Sequence, residues 1–177
     1  GGHNMDDYPL KMHVFNRARL IKNSKNRIPY GVDLIQKYRR ESWIVFTENK
    51  KQAKEFNKII NTKGFKSALY NTDLDSAERL ENLNKFKKSD LNVLVTCTAL
   101  DEGFDMPEAD GALILSASSS KRQRVQRMGR VLRITENKPN ALIVTVYSSK
   151  TEFDKLMEEA KRYHKEGVPV SWKRQDR

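Results

Sequence analysis

The chain has 177 residues, the size of one ordinary domain and enough to bury a real core. Its 34 basic against 23 acidic residues give a formal net charge of +11 and an isoelectric point near 9.7, which favours a polyanionic partner, nucleic acid first. The longest apolar runs are strand-length, so no membrane span is expected. The single cysteine, Cys97, fits a reducing cytosolic setting (nucleoid and nucleus included), and three scattered histidines offer no metal-ligand spacing.

In chain order, residues 1–5 ("GGHNM") look like a cloning remnant. Residues 6–41 read as a basic, helical lead-in; within it "RARLIKNSKNR", Arg17 to Arg27, holds five cations and no carboxylate. A solvated helix face is at least as good a reading of that segment as a nucleic-acid patch. "SWIVFT", Ser42 to Thr47, reads as a buried strand, and Asn49 to Asn61, with Ala53, Phe56, Ile59 and Ile60 at helical spacing, as a helix that Gly64 stops. "FKSALY", Phe65 to Tyr70, is a second strand. Ser76 is a plausible N-cap for a helix with Leu80, Leu83 and Phe86 on one side. "LNVLVTC" (Leu91 to Cys97), "GALILSA" (Gly111 to Ala117) and "NALIVTVY" (Asn140 to Tyr147) are three further strands. An arginine-rich helix runs from Lys121 to Arg133, a closing helix from about Thr151 to His164, and residues 167–177 form a basic tail.

Strands and helices in alternation, with near-continuous apolar strands, predict a parallel sheet covered by helices on both faces. In such sheets ligands sit beyond the carboxyl ends of the strands. The unusual segments fall there: "TENK", "NTDLD", "TALDEGFDMPEAD" and "SSSKRQ". Neither GxxxxGK[ST] nor GxGxxG occurs, which disfavours a free-standing nucleotidase or a dinucleotide-dependent enzyme. Asp101 and Glu102 lack the apolar strand run that precedes an acidic magnesium box, and no metal site is assigned.

"QRMGRVLR" places Arg127, Arg130 and Arg133 at a spacing of three, about 60° apart on a helix, so like charges share one face and call for an anion opposite. Guanidinium groups stay charged and grip phosphate oxygens in a fork, which suits completion of a phosphate site carried by another domain. The competing reading is a merely basic, DNA-contacting helix.

The stretch resembles motif VI of superfamily 2 helicases, Q/H-R-x-G-R-x-x-R. "TALDEGFDMPEAD", Thr98 to Asp110, resembles motif V, "IVFT", Ile44 to Thr47, motif IV, and Leu69 to Lys87 the segment that follows, with Arg79 and Phe86 in place. Four motifs in order over about Glu41 to Tyr147 resemble the second lobe of a helicase or translocase. The resemblance implies a RecA-like three-layer α/β sandwich over residues 42–166. Gln126, where DEAD-box RNA helicases carry histidine, brings the chain nearer the XPB type and restriction-type DNA translocases, so DNA is favoured over RNA. Asn71 and Thr72 depart from the common His-Gly.

By the resemblance, Arg130 and Arg133 are arginine fingers for the γ-phosphate, and Gln126 lies on the same nucleotide edge. Asp105 meets the ribose hydroxyls, Gly103 admits the backbone beside them, and Arg127 ties the helix to motif IV or V. A cap for Asp105 and a plain turn for Gly103 are the structural alternatives. Thr47, Thr96 and Thr98 could donate hydroxyls to a nucleic-acid backbone, or serve as caps. ATP and Mg2+ would be bound mainly by a first RecA-like lobe upstream of Met5, so the chain alone would be inactive. The rival is a non-catalytic nucleic-acid-binding module of the same fold; no membrane partner is expected.

Overall fold

Strands that are apolar at nearly every position can be buried only between two layers, and the chain supplies both. The computed structural model describes residues 10–16, 27–97, 107–115, 141–147 and 170–174, together with Asp154, Glu158 and Lys161. Among them, β1 (Leu10–Asn16), β2 (Trp43–Phe46), β3 (Ser67–Leu69), β4 (Val93–Thr96), β5 (Gly111–Ile114), β6 (Ala141–Tyr147) and β7 (Val170–Arg174) form one sheet in the order β3-β4-β2-β5-β6-β1-β7. Every pairing is parallel. Parallel neighbours need crossovers. Helix α1 (Arg27–Lys37) links β1 to β2, α2 (Lys50–Thr62) links β2 to β3, and α3 (Ser76–Lys87) links β3 to β4.

The period-two alternation of the strands sorts the core into two halves. Trp43, Val45, Val93, Val95, Leu113 and Leu115 face α1 and α2, where Ile35, Phe56 and Ile60 meet them. Ile44, Phe46, Leu94, Ala112 and Ile114 face the other way, onto Leu83 and Phe86 of α3. Two glycines permit close packing. A Cβ on Gly111 would lie 2.7 Å from Cε3 of Trp43, its register partner on β2, so the indole lies flat over a bare backbone. A Cβ on Gly31 would come within 2.9 Å of Leu115, which brings α1 down onto β5.

The helix ends are specified locally. Asn49 caps α2 by accepting from the Gln52 N–H at 2.8 Å, while Gln52 Oε1 accepts from the Glu48 N–H at 2.6 Å. Gly64, with φ of 88°, ends the same helix as expected. At α3 the N-cap is Asp75 rather than Ser76, which is the first helical residue. Its far end closes through Asp90 N–H to Lys85 O at 2.8 Å and Ser89 N–H to Phe86 O at 3.1 Å, with Ser89 in the left-handed region at φ 67°. Leu80 does not join Leu83 and Phe86 inside; it is 57% exposed. A spacing of three rotates about 60° per step, so Leu80 ends about 120° from Phe86 and leaves the buried stripe.

The two ends of the chain differ from expectation. The lead-in is not wholly helical: β1 is inserted between β6 and β7, with Leu10 opposite Ala141 and Met12 opposite Val170. The basic tail contributes β7. Of the closing helix, Asp154, Glu158 and Lys161 are helical and exposed. The arginine helix lies outside the described residues.

Two substitutions test this packing. Ser89→Gly removes a side chain from a left-handed position and should raise stability by about 0.5–1 kcal/mol. Gly111→Ala drives a methyl into the Trp43 indole and should cost about 1–3 kcal/mol. Urea unfolding of both variants reads the two opposite signs.

Candidate functional site

The carboxyl ends of β2, β3, β4 and β5 meet on one edge, and backbone bonds hold their exits in step. The Thr47 N–H donates to Thr96 O at 2.9 Å, the Tyr70 N–H to Val95 O at 2.8 Å and the Leu115 N–H to Phe46 O at 2.8 Å. Ladder bonds thus continue one residue past β2, β3 and β5, which stiffens this edge into a shelf.

Thr47 and Thr96 are brought together there. Each is 1% exposed. The Thr47 hydroxyl donates inward to Asn49 O at 3.1 Å and lies 3.5 Å from Thr96 O. A hydroxyl so committed fixes the turn between β2 and α2. This is the cap-like alternative for Thr47. Of the other candidates, Thr98, Gly103, Asp105, Gln126, Arg127, Arg130 and Arg133 lie outside the described residues, as do Asp101 and Glu102. The described part of the motif V segment runs from Pro107 to Asp110.

Two residues matter at this shelf, and a third at the opposite edge, that sequence reasoning did not single out for these roles. Arg27, at the first turn of α1, is 4% exposed; its guanidinium donates to Val146 O at 3.0 Å and Leu115 O at 3.3 Å. It ties α1 to the exits of β5 and β6, and β5 leads into the segment carrying Gln126 to Arg133. The basic run had pointed to Arg27 only as part of a surface patch. Asn71, after β3, is 1% exposed, and its Oδ1 accepts from the Cys97 N–H at 2.8 Å, where the motif V segment begins. Its Nδ2 is buried without a partner. Because Cys97 N–H must donate, the carbonyl end of the amide is assigned.

Asp110, the last residue of the motif V stretch, works at the opposite edge. Its carboxylate accepts from the Ser42 N–H and hydroxyl, both at 2.8 Å, and from the Glu41 N–H at 3.2 Å, while its own N–H donates to Ser42 Oγ at 3.2 Å. Its carbonyl receives the Leu142 N–H at 3.0 Å. One residue therefore gathers the amino ends of β2, β5 and β6, through its carboxylate at β2 and its backbone carbonyl at β6. Charge-assisted bonds of this kind are the stronger ones.

No group of three His, Cys, Asp or Glu side chains that could hold a metal occurs among the described residues, and no helix among them is long and apolar enough to cross a membrane.

Comparison with known proteins places this edge in a family. The helicase conserved C-terminal domain matches residues 26–135. The DNA 3'-5' translocase XPB2 of Sulfurisphaera tokodaii is 35% identical over 129 residues, covering 73% of this chain and 28% of that protein. UvrABC system protein B of Fusobacterium nucleatum is 30% identical over 125 residues, 67% of this chain and 19% of that protein. The chain thus spans less than a third of the length of these relatives. The C-terminal domain of the DEAD-box protein Dbp5 superposes with a TM-score of 0.77 at 19% identity, covering 94% of this chain and 91% of that one, which shows a shared RecA-like fold.

If the Thr47 hydroxyl is structural, Thr47→Val lowers stability by about 1 kcal/mol, the worth of one buried hydrogen bond, and leaves affinity for a single-stranded oligonucleotide unchanged. Thermal unfolding beside fluorescence anisotropy separates the two effects.

Proposed function

Because the chain belongs to the helicase conserved C-terminal domain family, we propose that it is the second RecA-like lobe of an ATP-driven helicase or translocase, completing a nucleotide site carried by an upstream lobe of the same protein. The observation that carries this reading is "QRMGRVLR" in a chain where β5, leading into it, is locked to α1 through Arg27. A group that must meet a phosphate across a cleft needs a stiff base, since misplacement by about 1 Å can cost on the order of 100-fold in rate.

In this reading Arg130 and Arg133 reach the γ-phosphate, each guanidinium gripping oxygens in a fork that lysine cannot form. They stabilise charge that shifts during phosphoryl transfer. Gln126 adds an uncharged donor and acceptor beside the same phosphate. Asp105 accepts from ribose hydroxyls, Gly103 admits the backbone next to them, and Arg127 braces the helix against the motif IV or V segment. This donor set suits phosphate oxygens and sugar hydroxyls; magnesium falls to carboxylates of the upstream lobe. When bound there, ATP supplies the phosphoanhydride whose cleavage drives the motor.

Nucleic acid would cross the carboxyl edge, held through its phosphates. Phosphate contacts carry no sequence information, as a motor that moves along a strand requires. With the Thr47 hydroxyl engaged by Asn49 O, contact falls also to backbone N–H groups and to charged side chains beside the edge. The net charge of +11 suits a polyanion, and the likeness to a DNA translocase favours DNA over RNA.

The purified 177-residue chain should show no steady ATP hydrolysis. In the full-length protein, Arg130→Ala and Arg133→Ala should lower kcat by about 10³–10⁵ while changing ATP affinity far less. Arg124→Ala, outside the motif, should be nearly silent. If all three behave alike in single-turnover hydrolysis, the arginines form a basic face and the lobe is a binding module.

A further inference from the structure

The outward faces of the three described helices differ in charge. On α1 the exposed charges are Asp33 and Lys37, and on α3 they are Glu78, Glu81, Lys85 and Lys87, with Lys85 paired to Glu81 at 3.0 Å. Each set sums to zero. Helix α2 is unlike them. Ala53, Phe56 and Ile60 are its buried stripe, and Lys50, Lys51, Lys54 and Lys58 are exposed, with Glu55 its one carboxylate.

At about 100° per residue, Lys50, Lys54 and Lys58 advance by roughly 40° per step, and with Lys51 they fill an arc of about 100° on the side away from the buried stripe. None of the four has an ion-pair partner among the described residues. Like charges four apart destabilise a helix by about 0.2–0.5 kcal/mol per pair, so this stripe is a standing cost in the free chain. A polyanion laid along it removes that cost.

The place of the stripe says where such a polyanion would come from. Residue Thr47 ends the extension of β2 on the carboxyl shelf, Asn49 caps the helix at once, and Lys50 and Lys51 follow in its first turn. The stripe therefore begins at the edge assigned to nucleic acid and runs about 12 Å down the outside of the lobe, a length that matches about two phosphate spacings of an extended strand.

We propose that Lys50, Lys54 and Lys58 on α2 form a second, outer track for the phosphodiester backbone of a single strand leaving the carboxyl edge. The proposal rests on the nucleic-acid reading of the lobe and adds a surface to it. Three solvated ammonium groups hold the strand as point charges, without base contacts, so the track is indifferent to sequence and to the sugar.

The test compares two triple variants of the chain, each lowering its net charge by three. One carries Lys50→Gln, Lys54→Gln and Lys58→Gln. The control carries Lys66→Gln, Lys87→Gln and Lys88→Gln, also exposed lysines but off the stripe. Glutamine matches lysine in helix propensity, and far-ultraviolet circular dichroism checks that both variants fold. Affinities for oligothymidylate and oligouridylate are measured by anisotropy over a range of salt. Each lost phosphate contact on a single strand lowers the slope of log K against log salt by about 0.7, so the stripe variant should lose about 2 on both strands and the control little. Equal loss in the two variants, or loss on one strand type only, overturns the track while leaving the nucleic-acid reading intact. Absence of salt-dependent binding by the unaltered chain overturns both.

Discussion

A parallel sheet that is apolar on both faces cannot meet water on either, and the rest of this chain answers that constraint. Val45, Val95 and Leu113 on one face, and Leu94 and Ile114 on the other, are fully buried. The returns α1, α2 and α3 are helices lying over the sheet, so each begins at the carboxyl edge and ends at the amino edge. The two edges become different in kind. The amino edge is closed by Asp110, whose carboxylate gathers the backbone ahead of β2. The carboxyl edge is braced by Arg27 and Asn71 and leads into the segments with the proposed site residues.

That division explains why charge and polarity are spent so unevenly. A buried arginine is costly unless its donors are taken up, and Arg27 spends them on carbonyls of two neighbouring strands. The result is a fixed platform from which the chain departs toward Arg130 and Arg133. The half-satisfied amide of Asn71 sits where the motif V segment begins.

Strands β2, β4, β5 and β6 were legible because four or more consecutive positions are apolar or β-branched. β1 and β7 were not, because Lys11 and His13, and likewise Ser171 and Lys173, alternate with the apolar residues and dilute a signal only three steps long. Register with β6 and β1 decides those strands, and pairing partners more than a hundred residues away leave no local mark. The same holds for the braces: Arg27 reaches 88 and 119 residues along the chain, and Asp110 reaches 68. Thr47 was legible as an edge residue but not as an inward-facing one, since rotamer and burial follow from the turn that Asn49 builds. The motif arginines stand out by spacing alone, because their chemistry is in the residue type.

The central claim is that this lobe acts by completing a nucleotide site across a cleft. The most direct measurement supplies the two lobes as separate chains and follows ATP turnover by the upstream lobe as this one is added, with single-stranded DNA present. The account predicts turnover that rises and saturates with the added lobe, and no rise with the Arg130→Lys form even where the two lobes still associate. Turnover by the upstream lobe that is indifferent to this chain, or equal stimulation by the lysine form, would contradict it.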